Sequence, residues 1–273
     1  MCDNHGNSAA EAAWSAPRVA EGPAVDPVAL PEVDEVGVTM MVDNTFDALL
    51  ASAEGVTRAS VDAGRTAARQ FADGEAVAGL RAEHGFSALV TVQSGNASST
   101  LLFDTGASPD GLAVNAERLG IHVGGLQGVV LSHGHFDHAG GFDGLAKLRG
   151  RSGLPLTVHP AVWTRRRLEL PAGQGLEMPT LSRGALEREG FEVIERRQPS
   201  LLAGGILITG EVDRVTEFEH GMPQDTKPGT GTAGDTIPPS STTRHSSSTC
   251  AAGDLSSSPG AATPEWSTSS GTP

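Results

Sequence analysis

The sequence predicts an α/β layered fold, and two observations carry that prediction. Short apolar runs rich in Val, Ile and Leu recur through the middle of the chain as candidate buried strands, and segments with helical periodicity and capping residues lie between them. Strands that alternate with helices bury their apolar faces by layering helices on a sheet. A third observation bounds the fold: composition changes near both ends, which leaves Val36 to about Met222 as the globular part.

Taken in order, VGVTMMV, SALVTVQ, TLLFDT, GVVLS, LPLTVHP and GGILITGEV read as short strands, apolar and bounded by turn residues. Among the helical candidates, DGLAVNAERLG offers Asp110 as an N-cap, apolar residues on one face and Gly120 as a stop. GGFDGLAKLRG and SRGALEREG make similar patterns. Residues 1–33 are rich in Ala, Pro and acidic residues without apolar periodicity and are expected to form a mobile arm. From 224 to 273 the chain is dominated by Ser, Thr, Gly and Pro, 33 of 50 residues. Such a segment cannot bury enough apolar area to offset its ordering entropy.

Whole-chain properties narrow the function classes. A length of 273 residues suits one large domain or two small ones. Lys plus Arg number 19 against 33 Asp plus Glu, a formal charge of −14, which argues against a nucleic-acid or anionic-membrane surface as partner and leaves a small molecule. No apolar run reaches the roughly 18 to 20 residues that span a bilayer, and the N-terminus lacks the basic start and apolar core of a signal peptide. A cytoplasmic location is therefore expected. Cys2 and Cys250 lie in low-complexity sequence near the two ends and suggest neither a disulfide nor a Cys-rich zinc site.

The chemistry is concentrated in LSHGHFDHAGG, residues 131–141, where three of the nine histidines and an aspartate fall within six positions: His133, His135, Asp137 and His138. GVVLS should be a buried strand ending near Ser132, so the histidines lie on the loop at its C-terminal edge, where the sheet holds their roots rigid. Spacing by two lets His133 and His135 converge on one cation, and Asp137 and His138 can face a second. Imidazole and carboxylate donors suit Zn²⁺, Mn²⁺ or Fe²⁺, and the lack of thiolates points to a reactive site with an open coordination position. Gly134, Gly140 and Gly141 permit the tight backbone that such crowding requires.

SHGHFDH resembles the His-x-His-x-Asp-His signature of the metallo-β-lactamase fold superfamily, and LLFDTG upstream resembles the strand and turn that precede it there. The finer pattern MMVDNTFDALL, EHGFSALV, LLFDTGASPDGLAVNAERLGI, VVLSHGHFDHAGGFDGL, LPLTVHPAVWTRRR and ILITGEVDRVTEFEHGMP is similar to the subgroup labelled 7,8-dihydropterin-6-methyl-4-(β-D-ribofuranosyl)-aminobenzene-5′-phosphate synthase-like. The resemblance covers about Val33 to Pro223. It implies an αββα sandwich with the metal site at one edge of the two sheets, one or two divalent ions (Zn foremost, with Mn or Fe as alternatives), and a hydrolase that uses metal-bound hydroxide. It assigns His133 and His135 to the first ion, and Asp137 and His138 to the second, with Asp137 also handling a proton. Asp104 in FDTG is either the buried carboxylate that orients the ligand loop or a turn residue before Gly106. A transferase or synthase acting on a pterin-like or phosphoribosyl substrate is the alternative that the subgroup label implies, and a truncated inactive remnant is a third.

Four further positions are candidates for the pocket. His159 ends an apolar strand and is either a ligand or a structural residue. Asn44 and His84 match positions that the subgroup repeats, and both also suit turns. Glu211 is a pocket carboxylate or an exposed strand-end acid. The run Arg165, Arg166 and Arg167 either meets a phosphorylated or carboxylated substrate or is the solvated face of a helix.

The subgroup takes a further histidine from a TGCGHAG-like segment that this chain does not contain; the tail offers His245. Shifting the reading frame by one base, with GC-rich wobble choices, turns the tail into family-like sequence, and the codons of Ser258 to Pro264 then spell TGCGHAG. The tail is therefore expected to be a frameshift product beginning near Pro223 or Gln224, with the sandwich incomplete.

Overall fold

The computed structural model describes residues 28–60, 64–169, 175–211 and 226–228. In chain order, β1 (Glu35–Val42) precedes a small hairpin of β2 (Arg65–Ala67) and β3 (Glu75–Val77), and the long strands β4 (Ser87–Ser94) and β5 (Ala97–Phe103) follow. Next come α1 (Gly111–Arg118), β6 (Gly128–Val130), the single turn α2 (Phe136–Ala139), α3 (Phe142–Arg149) and β7 (Leu154–Val158). The remainder is β8 (Arg166–Glu169), β9 (Gly175–Glu177), α4 (Arg183–Arg188), β10 (Phe191–Glu195), β11 (Ser200–Leu201), β12 (Leu207–Ile208) and β13 (Thr226–Pro228).

Six strands form one mixed sheet in the order β1-β4-β5-β6-β7-β10. β1, β4 and β5 are antiparallel neighbours, whereas β5, β6, β7 and β10 run parallel. Parallel neighbours need a crossover, and α1 and α3 supply two of them. Their apolar sides meet one face of the sheet: Leu112 and Leu145 pack into a core with Leu89, Leu102, Val129 and Leu156. Burial of each such side chain contributes about 1.5–3 kcal/mol.

The opposite face is thinly covered. Leu101, Val130 and Ile208 make a small cluster there, closed by the β11–β12 pair and the 3₁₀ turn Ala203–Gly205. Val38 and Met40 of β1 lie on the same face and remain 56% and 41% exposed. Among the described residues this is an α/β layer with its second half incomplete.

The anticipated strands appear, with differences. GGILITGEV yields only Leu207–Ile208 as strand, because glycines at Gly204 and Gly205 turn the chain first. β10, absent from the sequence reading, completes the sheet as an edge strand beside β7. Asp110 stands at the N-cap of α1 but makes no capping bond; its carboxylate pairs with Arg81 at 2.8 Å, and the Ser108 hydroxyl accepts from the Gly111 N–H instead. Arg166 and Arg167 lie on a strand, not a helix. Thr226–Pro228 pairs antiparallel with β8, so part of the segment expected to be structureless is a strand. The rest of that segment, the arm to residue 27, Cys2, Cys250 and His245 lie outside the described residues. No helix among the described residues is long and apolar enough to cross a membrane.

Candidate metal centre

The histidine loop leaves the C-terminal end of β6, as its sequence requires, and three imidazoles meet there. The ring centroids of His133 and His135 are 4.5 Å apart, and those of His133 and His138 are 4.2 Å apart. Asp137 lies beside them, with its Oδ2 3.5 Å from His138 Nε2.

Asp104 fixes this cluster from beneath. It follows β5, the strand adjacent to β6, and adopts a left-handed φ of 56°, a conformation that Asp tolerates better than most residues. Its carboxylate is fully buried. Oδ1 accepts the backbone N–H of Ser132 at 2.7 Å, and Oδ2 accepts the Ser132 hydroxyl at 2.6 Å and His138 Nδ1 at 2.7 Å. Of the two readings left open by the sequence, the carboxylate that orients the ligand loop is the one the geometry supports.

These contacts settle two tautomers. An ionised carboxylate only accepts, so His138 carries its proton on Nδ1 and the Ser132 hydroxyl donates to Asp104. Having spent its proton, that hydroxyl accepts from His133 Nδ1 at 2.9 Å. Both rings are left with an unprotonated Nε2, the atom a metal ion needs.

Electrostatics keeps two of the three imidazole donors neutral and favours the proton on the third. Burial, with the neighbouring His138, His135 and Arg166, pushes the pKa of His133 from 6.5 down to about 3, so it stays neutral. Burial and the charge of Arg166 also lower His135. For His138 burial is the largest influence and lowers the pKa, but the hydrogen bond and charge of Asp104, with the charge of Asp137, outweigh it and leave the value raised.

The loop backbone is pinned from two sides. Thr105 donates its N–H and hydroxyl to the carbonyl of His138, and the Phe86 N–H donates to that of Asp137. A Cβ at Gly140 or Gly141 would collide with the carbonyl of Ala107 or Thr105, and one at Gly134 with that of Val162, so the three glycines are needed for close approach.

The sequence candidates divide clearly. His84 stands exposed with Nε2 3.6 Å from Asp137 Oδ2, at the open side of the cluster. His159 is buried at the end of β7. Its Nδ1 accepts the Ala161 N–H at 3.1 Å, so the neutral ring carries its proton on Nε2 and offers no lone pair there. That Nε2 faces Glu211 Oε2 at 3.5 Å and makes no hydrogen bond among the described residues. Asn44 is exposed after β1, its N–H bonded to Asp43, and no described contact joins it to the cluster.

Two contributors went unread in the sequence, and a third, Arg166, was read only as part of a basic run without its place at the loop. Ser132 was legible only as the end of a strand. Glu83 accepts from the N–H groups of Ala107 and Ser108 and from the Ser108 hydroxyl, which places the Asp104 turn relative to His84. Arg166 donates to the carbonyl of Gly134, between two of the histidines.

No three His, Cys, Asp or Glu side chains among the described residues already converge as a formed cage. The donor set nevertheless fits a divalent ion: His133 and His135 held neutral, His138 engaged through Nδ1 by Asp104 so that Nε2 is its remaining donor, and the carboxylate of Asp137, all at the C-terminal end of β6.

The fold and this loop define the class. A family model for the metallo-beta-lactamase superfamily matches residues 81–266, more than half of the chain, and the protein belongs to that superfamily. Among curated relatives it is 30% identical over 133 residues to the 7,8-dihydropterin-6-methyl-4-(beta-D-ribofuranosyl)-aminobenzene-5′-phosphate synthase of Methanocaldococcus jannaschii, covering 48% of this chain and 45% of the relative. An uncharacterized protein of the same organism is 30% identical over 141 residues, 50% of each chain. The chain thus spans about half the length of the curated relatives it matches. Similar solved structures include a subclass B3 metallo-beta-lactamase from a soil metagenome library, 21% identical, with 46% of this chain and 49% of that one covered at a TM-score of 0.28. A quorum-quenching N-acyl homoserine lactone lactonase is 17% identical, with 45% and 49% covered at a TM-score of 0.30.

Proposed function

We propose that the protein is a metal-dependent hydrolase acting on a small molecule, with His133, His135, Asp137 and His138 holding one or two divalent ions, Zn²⁺ foremost. The observation that carries the reading is the Asp104–Ser132 pair, which engages Nδ1 of both His133 and His138 and so makes Nε2 the donor atom of each neutral ring. When bound, a divalent ion would polarise a carbonyl or phosphoryl oxygen and lower the pKa of a water to roughly 7. The chain's own groups do the rest. Asp137, only partly buried and 3.5 Å from His138, is placed to ligate and to accept a proton from the attacking water. His84 stands next to it on the solvent side, where a leaving group would depart. The charge of −14 disfavours nucleic acid or an anionic membrane as substrate.

A synthase reading has one observation in its favour, the 30% identity to a relative that is named a synthase. Turnover in ¹⁸O-labelled water separates the two: label in the product marks hydrolysis, and its absence from a condensation product marks the synthase. Elemental analysis comes first. The protein should retain Zn, Mn or Fe, and His133→Ala with His135→Ala should abolish it; a double variant with full metal content would remove these ligands. Asp137→Asn keeps shape and loses charge, so turnover should collapse while the melting temperature hardly moves.

A further inference from the structure

Arg166 occupies a position that the metal reading does not use. A guanidinium stays charged in any protein setting, so a half-buried one needs acceptors. Among the described residues Arg166 finds neutral ones. Nη1 donates to the carbonyls of Gly134 at 3.3 Å and Thr164 at 3.0 Å, and Nη2 to that of Ala161 at 3.3 Å. Arg81, Arg151 and Arg197 meet the carboxylates of Asp110, Glu189 and Glu211, whereas Arg118 and Arg149, like Arg166, donate to backbone carbonyls; of these three, only Arg166 does so beside the histidine cluster. For Arg166 burial is the one influence acting on its pKa, with no acidic neighbour opposing it among the described residues. Gly134 lies between His133 and His135, and both rings feel the Arg166 charge, so the cation stands beside the ligand cluster.

We propose that Arg166 is the anion-binding residue of this centre and takes an oxyanion of the substrate, a carboxylate or a phosphate, beside the metal ligands. Three of its five N–H donors are spent on carbonyls, which leaves two for a ligand. Two donors on one planar group match the paired oxygens of a carboxylate or phosphate, and an ammonium cannot reproduce that geometry. The three carbonyl bonds hold the guanidinium in place, so little side-chain entropy is lost on binding. The inference rests on the histidine cluster being a metal site, but its test can be read apart from it.

Inorganic phosphate, and in a parallel arm acetate, would be titrated calorimetrically into the wild type, Arg166→Lys, Arg166→Gln and Arg166→Ala, each Zn-loaded and metal-free, with zinc content measured on the same samples. Phosphate affinity should fall at least tenfold in Arg166→Ala and Arg166→Gln and by less in Arg166→Lys, with zinc content unchanged. Acetate that competes for the same Arg166-dependent site extends the ligand class to carboxylates; no such competition narrows it to phosphates. Equal phosphate binding by wild type and variants, or none by the wild type, overturns the proposal. So does loss of zinc together with the anion, because Arg166 would then act only by pinning Gly134. Arg166-dependent phosphate binding by a wild type that takes up no zinc would uphold the anion site and sink the metal reading. Should Arg166→Ala fail to fold, the Gln and Lys variants carry the comparison.

Discussion

Two carboxylate–histidine pairs stand at the same edge of the sheet and are built differently. Asp104 and His138 are 2.7 Å apart, and the buried carboxylate accepts two further bonds from Ser132. Glu211 and His159 are 3.5 Å apart, the carboxylate is a third exposed, and it is shared with Arg197 at 3.2 Å. The first pair hangs from β5 and β6, whose parallel register from Leu101↔Gly128 to Phe103↔Val130 places Asp104 under the loop. The second depends on chain beyond β12, outside the main sheet. The pair fixed by sheet register closes to hydrogen-bond distance, whereas the two members of the pair that rests on a short hairpin stay 3.5 Å apart.

The largest expected effect breaks the tight pair. Asp104→Asn leaves the Ser132 and His138 donors facing an amide that can satisfy only some of them, and should cost on the order of 3 kcal/mol in a urea melt. Its zinc affinity should fall by about 10- to 100-fold, as when groups that orient metal ligands are removed. Wild-type stability in Asp104→Asn would erase the distinction between the two pairs.

Acid should come next. In the metal-free protein His133 is neutral when folded down to about pH 3, whereas the unfolded chain takes a proton near 6.5. Between those values the unfolded state binds more protons, so stability falls as pH drops through that window; His135 acts in the same direction. His138, with a raised pKa, opposes this: its contribution is fully present below 6.5 and is lost as pH rises through its folded value. Urea midpoints of chelator-treated protein should therefore decline on acidification below 6.5, and His133→Gln should flatten the decline. A midpoint independent of pH over this range would contradict the burial of His133.

Ser132→Ala sharpens the comparison within the tight pair. It removes the acceptor for His133 Nδ1 while leaving Asp104 on His138, so zinc affinity should weaken by roughly tenfold, less than in Asp104→Asn. Equal losses in the two variants would mean that the hydroxyl, not the carboxylate, orients the loop. The smallest effect is expected at the loose pair. Glu211→Gln takes the charge from a partly exposed carboxylate that holds Arg197 at 3.2 Å and faces His159 at 3.5 Å, and should shift stability by less than about 1 kcal/mol.

By itself the sequence named most of the main sheet's strands and set four candidate donors on one loop. Apolar runs named β1, β4, β5, β6 and β7; periodicity named α1, α3 and α4; and His133, His135, Asp137 and His138 were legible because all lie on one loop after one strand. What tertiary structure alone decided was which distant groups meet that loop. Ser132 looked like the end of a strand until β5 brought Asp104 beneath it, and Arg166 belonged to a basic run open to a substrate contact or a solvated face until β8 carried it to Gly134. His159 looked able to ligate until the Ala161 N–H took its Nδ1 lone pair. The physical reason is one of range. Periodicity and turn chemistry act between residues a few positions apart, whereas hydrogen-bond partners 28 to 34 residues apart, as Asp104 is from Ser132 and His138, are set by strand register and burial across the whole sheet.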